Sequence, residues 1–476
     1  MRCTMNRKLP ALLAVLLVSG CATPVPQALV QAEQPKSFVG PIQADSTAWP
    51  DTQWWQGFGD PELSSLVTKA QAGNRDLAQA AARVMGAEAQ STIQRSALFP
   101  QIGGQALHTN GGCQGQACNQ FAPLKDYGLT FNATYELDFW GLARDNLRAA
   151  NEELKSARFA QQVVALSVTA NVANQYFNVL ALRRRIAIAH ENIAAINGIL
   201  EIVKLRAKAG SISHLDLAQE TAQEEAVESQ LPGLETQERQ SLYTLAVLLG
   251  EAPQGFDVKA QNMDGIAAPK VGAGLPADLL LRRPDVASAE ANLAAAHADL
   301  DAARAAFFPA ISLTGSGGFV STAIGSLIQG SNFGYAYGLD LVQTIFDGGR
   351  LIGQKDLAKA SQESFIAGYQ SAALNAYADV ETALVQVANS NRAMDHLARE
   401  VDAAREAFQI ASLQYRQGAA DLLAVLQTQQ TLFQAEDQLA QSTLANRQAI
   451  VHLFEALGGG WQEAPADRTQ LVTNTP

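Results

Sequence analysis

Apolar and polar residues alternate without interruption between residues 129 and 139. The odd positions are apolar: Leu129, Phe131, Ala133, Tyr135, Leu137 and Phe139. The even positions are polar: Thr130, Asn132, Thr134, Glu136 and Asp138. A period of two predicts a β-strand with one apolar face. The length matches the roughly 9–11 residues that a tilted strand needs to cross a bilayer, although a strand of a soluble sandwich would show the same pattern.

The second half of the chain repeats this alternation over 311–319 and 333–341. Residues 101–109 add a fourth predicted strand. Four strands cannot close a membrane barrel, because single-chain barrels begin at about eight strands and lipid does not tolerate an open edge. If the strands cross a membrane, several copies of the chain must pool them. The acidic residues predicted on the polar face would favour cations in a lumen or be ordinary solvated side chains; they are Glu136, Asp138 and Asp340.

The pattern then becomes helical. Residues 143–209 contain no proline and a single glycine, Gly198, and predict one helix of roughly 100 Å at 1.5 Å per residue. Gly210 is predicted to end this helix, and Ser213 to cap a returning helix that Pro232 interrupts. Helices of this length must pack side by side as coiled coils, since one globule cannot bury them.

The second half carries a matching hairpin from about 349 to 417, with a break at Gly418 and a new N-cap at Asp421. Near the start of the chain, Asp60 and Pro61 predict the beginning of a helix that runs to about residue 98. Each half therefore has the order helix, two strands, long helical hairpin.

Four landmarks recur at a shift of 206 to 209 residues, which indicates a duplicated unit of about 200 residues. The pairs are Leu98–Ile102 with Phe307–Ile311, Gly141–Arg144 with Gly348–Arg350, Arg206–Gly210 with Tyr415–Gly418, and Leu249-Gly250 with Leu457-Gly458. We expect a first repeat over 61–260, a linker over 261–281, a second repeat over 282–460 and a tail over 461–476.

The N-terminus is typical of an exported lipoprotein. Cationic residues precede the apolar run Leu9–Val18, which is too short for a permanent membrane helix and predicts a signal peptide over 1–20. Small residues before Cys21 resemble a lipobox, whose cleavage would leave Cys21 as a lipid-modified, palmitate-bearing N-terminus on a Pro-rich tether over 21–60. A plain signal peptide with a chance cysteine is the alternative. Ala22, rather than an aspartate, implies sorting of such a lipoprotein to the outer membrane.

Two further cysteines, Cys113 and Cys118, lie in a stretch rich in Gly, Gln and Asn without a neighbouring histidine to complete a zinc site. In an oxidising compartment they are predicted to close a small disulfide loop. Two unpaired thiols are the alternative.

Composition argues against catalysis and against nucleic-acid binding. The formal charge is −12, and the six histidines are scattered without paired metal-ligand spacing. The chain contains no phosphate-binding loop and no nucleophile motif, so we expect no enzyme activity, no cofactor and no metal ion. Glu220, Glu224, Glu225 and Glu228 are predicted to form a solvated or salt-bridged helix face.

Four motifs resemble the TolC-like outer-membrane efflux proteins, specifically the NodT-type lipoprotein branch that serves resistance–nodulation–division pumps. They are Trp54 to Pro61, Gly274-Leu-Pro-Ala-Asp-Leu-Leu-Leu-Arg-Arg-Pro-Asp285, Ala305 to Thr314, and Leu457-Gly-Gly-Gly-Trp461. The resemblance covers residues 50–460. It implies a mixed α/β membrane protein: a homotrimer with a β-barrel in the outer-membrane lipid, four strands per protomer, continued by a periplasmic α-helical coiled-coil barrel. The implied partners are a periplasmic adaptor and an inner-membrane resistance–nodulation–division transporter.

The resemblance also suggests residues of the periplasmic entrance. Leu423 matches a position that contributes an apolar ring to the closed gate, and Gln427 stands where related proteins place an acidic residue. Three amides would bind cations less strongly than three carboxylates. The alternative is that Gln427 packs against a neighbouring helix. The candidates for adaptor docking at the hairpin tips are Arg206, Gly210, Ser213, Arg416 and Gly418. An efflux channel is the predicted function; a structural or adhesive trimeric coiled-coil lipoprotein without transport is the alternative.

Overall fold

The computed structural model describes residues 38–39, 50–111, 125–269 and 279–461. These residues form two compact units. The first unit contains 84–111, 125–156 and 289–369, and the second contains 38–39, 50–83, 157–269, 279–288 and 370–461.

The described helices and strands follow the order that the sequence predicts for a duplicated unit. In the first half they are α1 (Pro61–Gly73), α2 (Arg75–Ser96), β1 (Gln101–Asn110), β2 (Lys125–Glu136), α3 (Leu142–Lys208), α4 (His214–Glu228) and α5 (Leu231–Leu249). In the second half they are α6 (Pro284–Ala305), β3 (Ala310–Ser321), β4 (Phe333–Val342), α7 (Arg350–Gln417) and α8 (Leu422–Ala456).

The first unit contains one antiparallel sheet of four strands in the order β1-β2-β3-β4. All four predicted strands are confirmed, and residues 101–109 form nearly the whole of β1. The register pairs Leu129 with Ala106 on one side and with Phe319 on the other, so apolar positions face the same way across the sheet.

The predicted strand over 129–139 is too long at its end. β2 ends at Glu136, and Asp138 instead receives hydrogen bonds from the backbone N–H groups of Ala143 (3.2 Å) and Arg144 (3.0 Å). Asp138 therefore caps the start of α3, because its carboxylate satisfies N–H groups that have no partner within the helix. Its predicted place on the polar strand face is wrong.

The turns at the tips of the two hairpins lie at the predicted residues. Gly210 and Gly418 have φ of 69° and 78°, a left-handed conformation that glycine adopts readily and that ends α3 and α7. Ser213 caps α4 in a capping box with Asp216, and Asp421 caps α8 by accepting the Ala424 N–H at 3.0 Å.

The first predicted helix is divided into α1 and α2. Asn74 separates them: its side-chain oxygen accepts the N–H groups of Asp76 and Leu77 at 2.8 and 3.0 Å, and its amide donates to the Leu248 carbonyl at 2.8 Å. The continuous helix to residue 98 is wrong because this asparagine starts a second helix.

The Leu-Gly landmarks of the duplication mark two tight contacts. Gly250 has φ 73°, and a Cβ there would lie 2.1 Å from the Gly73 carbonyl oxygen. Gly458 has φ 81°, and a Cβ there would lie 1.9 Å from the Arg282 carbonyl oxygen. Each glycine lets the end of its hairpin pack against backbone, which explains why both copies have glycine there.

Aromatic residues near the start of the chain anchor the core of the second unit. Trp54 and Phe58, in a short 3-10 helix over Trp54–Phe58, are buried against Phe177 of α3 and Phe454 of α8. The Trp54 and Phe454 rings stack with centroids 4.9 Å apart. This segment therefore packs against a helix from each repeat.

Candidate channel surfaces: the sheet and the hairpin tips

One face of the sheet is apolar across all four strands. Successive residues of a strand point to opposite faces, and paired residues share a face. This face carries Ile102, Ala106, Leu129, Phe131, Tyr135, Leu313, Phe319, Phe333, Tyr335, Tyr337, Leu339 and Leu341. Its side chains on β4 are strongly exposed, with Tyr337 at 83% and Tyr335 at 75%. An exposed apolar surface of this kind fits lipid or a partner better than water.

The opposite face is mostly polar, with Leu107 and Val320 as apolar exceptions that pair with Gly128 near one end of the sheet. Glu136 of β2 pairs with Ser312 of β3, which pairs with Asp340 of β4, so two carboxyl groups flank a hydroxyl in one row. Thr314 lies one row away on the same face, with its hydroxyl 3.4 Å from the Asp340 carboxylate. Glu136 and Asp340 thus occupy the predicted polar face.

The ends of the strands are held by aromatic and acidic side chains. Trp140 stacks on Phe308 with ring centroids 4.8 Å apart, and its indole N–H donates to the Pro309 carbonyl at 2.8 Å. Asp347 precedes α7 as Asp138 precedes α3, accepting the N–H groups of Gly349 and Leu351 at 3.0 Å each. These hydrogen bonds hold the pKa of Asp347 below its usual range.

The tips of the two hairpins share an apolar core. We call this group the tip cluster: Ile199, Val203, Ala411, Tyr415, Leu422 and Val425. It includes side chains from α3, α7 and α8, and Leu217 of α4 packs against it. The tip cluster joins the first hairpin to the second.

Arg206 also connects the hairpins. Its Nη2 donates to the carbonyl oxygens of Tyr415 (3.0 Å) and Arg416 (3.1 Å) in the last turn of α7. Its guanidinium carbon lies 4.8 Å from the centre of the Tyr415 ring. The cation satisfies carbonyl groups that a helix end leaves unpaired, so Arg206 stabilises the end of α7.

The remaining tip residues lie on the surface of the protomer. Leu423 is 52% exposed, and Gln427, one turn further along α8, is also exposed. Gln427 therefore does not pack into the core of its own protomer. The other predicted tip residues, Gly210, Ser213, Arg416 and Gly418, are exposed as well.

The prediction for Glu220 is wrong. Its side chain is completely buried rather than part of a solvated face. Gln429 of α8 is also buried, at 2% exposure, and was not predicted to be. A signal for Glu220 was present, because it lies three residues after Leu217 and seven before Val227, in the helical period of the apolar stripe.

A sheet that is apolar on one face and polar on the other, in a chain with helices of 67 and 68 residues, is typical of a channel-forming outer-membrane protein. The chain matches the family described as outer membrane efflux protein over residues 66–251 and 275–459. It therefore belongs to the outer membrane efflux protein family. Cys21, Cys113 and Cys118 lie outside the described residues.

Individual proteins show the same relationship. The chain is 39% identical over 427 residues to the pyoverdine export outer membrane protein OpmQ of Pseudomonas aeruginosa, covering 88% of this chain and 89% of that protein. It is 29% identical to the cation efflux system protein CusC of Escherichia coli, covering 96% and 99%. The structure of the outer-membrane channel OprN is similar with a TM-score of 0.83 at 27% identity, covering 91% of this chain and 99% of that one.

Proposed function

We propose that three copies of this chain form a gated outer-membrane duct for small molecules. The observation that carries the proposal is the four-stranded sheet with one apolar and one polar face. Four strands leave two open edges, and lipid tolerates none, so copies must join edge to edge. Three copies give twelve strands, with the apolar face toward lipid and the polar face, including Glu136 and Asp340, toward the lumen.

The helical hairpins would continue this duct through the periplasm to a constricted entrance at their tips. A periplasmic adaptor and an inner-membrane resistance–nodulation–division transporter would complete the pathway. Arg416 and the tip turns at Gly210, Ser213 and Gly418 are exposed and free to meet such an adaptor. Arg206, by contrast, is occupied by contacts within the protomer, so we assign it to stabilising the tip.

We assign the gate to Leu423 and Gln427. Both are exposed in the protomer and lie on the same side of α8, four residues apart. In a trimer three leucines would exclude water by packing, and three glutamines could exchange hydrogen bonds without the mutual repulsion of three carboxylates.

The mature N-terminus would carry lipid on Cys21, which adds a second attachment to the outer membrane. Cys21→Ser should abolish incorporation of labelled palmitate.

Cys113 and Cys118 would close a disulfide loop, which thiol counting before and after reduction would detect.

The chain would act as a passive conduit rather than as an enzyme, with energy supplied by the inner-membrane partner. Pyoverdine is the first cargo to test, because the relative at 39% identity is named for exporting it.

The direct test of the proposal is single-channel recording of the purified chain in planar bilayers. Small, flickering openings are expected from a gated duct; a complete lack of conductance would favour the structural lipoprotein.

A further inference from the structure

Two apolar clusters lie along the hairpins of the second unit, and polar residues stand between them. The first is the tip cluster. The second, which we call the hairpin cluster, consists of Leu182, Ala189, Ile196, Val227 and Leu234. On α4 the tip cluster reaches Leu217 and the hairpin cluster starts at Val227, with Glu220 between them. On α8 the clusters reach Leu426 and Phe433, with Gln429 between them.

Glu220 and Gln429, which we call the polar layer, are buried without compensation. Glu220 is 0% exposed and Gln429 is 2% exposed. Among the described residues, the two carboxyl oxygens of Glu220 have no hydrogen-bond partner. The same is true of the side-chain amide nitrogen and oxygen of Gln429. Unpaired polar groups in a core reduce stability, and apolar residues at both positions would pack more tightly. The polar layer is therefore a weak point in the packing between the hairpins.

Among the described residues, no cationic side chain donates a hydrogen bond to the Glu220 carboxylate. The charge of Glu224 on α4 acts on Glu220. Glu220 in turn acts on Tyr415 of α7, as do Asp216 of α4 and Arg206 of α3. The guanidinium of Arg206 is turned to the Tyr415 ring and to two carbonyls. The α8 residues of the tip cluster, Leu422 and Val425, carry no charge, and neither does Gln429.

Burial, together with the negative charge of Glu224, raises the pKa of Glu220 from 4.5 to about 7. Burial also raises the pKa of Tyr415, and the charge of Glu220 adds to that rise. Glu220 thus changes its charge near neutral pH while it is packed.

We propose that Glu220 makes the hairpin tips sensitive to protons: the protonated side chain keeps the two hairpins packed, and loss of its proton loosens them. Burying a neutral carboxyl costs far less than burying an unpaired carboxylate, so ionisation favours any state in which Glu220 reaches water. If the tips form the entrance, as proposed above, loosening raises the probability that the entrance opens.

The direction of the pH dependence follows from linkage. The packed state holds the proton more tightly than a loosened state, so packing is most favoured below pH 4.5 and loses this advantage as pH rises to about 7. Between pH 5 and pH 8 the equilibrium should shift toward the loosened state on the order of 50-fold, given these two pKa values.

The test measures amide hydrogen exchange in the last two turns of α3 and α7, corrected for the intrinsic pH dependence of exchange, at pH 5 to 8. The full chain in detergent is compared with Glu220→Gln, a near-isosteric neutral variant. Glu228→Gln removes an exposed carboxylate from the same helix and serves as the matched control. Glu224→Gln should move the transition to lower pH, because it removes the second cause of the raised pKa.

The wild type and Glu228→Gln should lose protection at the tips as pH rises, and Glu220→Gln should stay protected at all pH values. Retention of the full pH dependence in Glu220→Gln would overturn the proposal, as would an unchanged midpoint in Glu224→Gln. Single-channel recordings of the same proteins separate the two proposals. If amide exchange at the tips depends on pH but the conductance does not, the proposal for Glu220 is supported. The placement of the entrance at the tips is then contradicted.

Discussion

The guanidinium of Arg206 lies 4.8 Å from the centre of the Tyr415 ring and also donates a hydrogen bond to the Tyr415 carbonyl at 3.0 Å. These residues are 209 positions apart and belong to different copies of the duplicated unit. An arginine of the first hairpin therefore completes the helix end of the second hairpin, so the two tips are stabilised as a pair.

Replacement of Arg206 should loosen this pair. Arg206→Ala removes two charge-assisted hydrogen bonds and the contact with the ring, a loss of about 1–2 kcal/mol at this half-exposed site. If the tips close the entrance, the open probability in bilayers should rise roughly 5- to 30-fold. Arg416→Ala is the matched control, because Arg416 is an exposed arginine of the same tip. An equal response of both variants would remove the special role of Arg206.

The gate assignment predicts that Leu423→Ala and Gln427→Ala each raise basal conductance, since each removes packing or hydrogen bonding from the narrowest point. Gln427→Asp should instead make the closed state depend on divalent cations, because three carboxylates repel one another until a cation binds. Gln438→Ala, an exposed position of the same helix three turns further from the tip, should leave conductance unchanged. Wild-type conductance in both alanine variants would show that the gate lies elsewhere.

The close glycine contacts predict large losses of stability. Gly250→Ala and Gly458→Ala each impose a left-handed conformation on a residue with a Cβ, at about 1–2 kcal/mol, and also force the Cβ into a carbonyl oxygen. Gly255→Ala has the same backbone conformation with open space around it and should cost the conformational penalty alone. Thermal unfolding followed by circular dichroism should place both contact variants well below the control. Equal melting temperatures for all three would contradict the contacts.

The two faces of the sheet predict opposite responses to a charge. Tyr337→Arg places a cation on the apolar face of β4 and should oppose insertion into lipid by about 2–4 kcal/mol near the bilayer centre. Ala336→Arg, at the adjacent position on the polar face, should insert normally. After each variant has been folded into vesicles, the inserted fraction is measured from the heat-modifiable migration of the protein on an electrophoresis gel. If Ala336→Arg inserted less well than Tyr337→Arg, the assignment of the two faces to lipid and lumen would have to be reversed.

Local signals predicted most of the fold. The alternation over 129–136 predicted β2, and the turns at Gly210 and Gly418 follow from residue types that end helices. The end of β2 was less predictable, because Asp138 fits the alternating pattern until the chain turns and uses it as a cap. The Arg206 contact was not predictable from one sequence, since nothing near Arg206 identifies a partner in the other repeat. The burial of Glu220 was predictable in part, because it continues the apolar stripe of α4 between Leu217 and Val227.

We propose above that copies of this chain share their strands to close one barrel. Native mass spectrometry of the full chain, extracted from outer membranes in mild detergent, counts the copies directly. We expect three chains in each particle. A particle with a single chain would contradict it, because four strands cannot close a barrel in lipid.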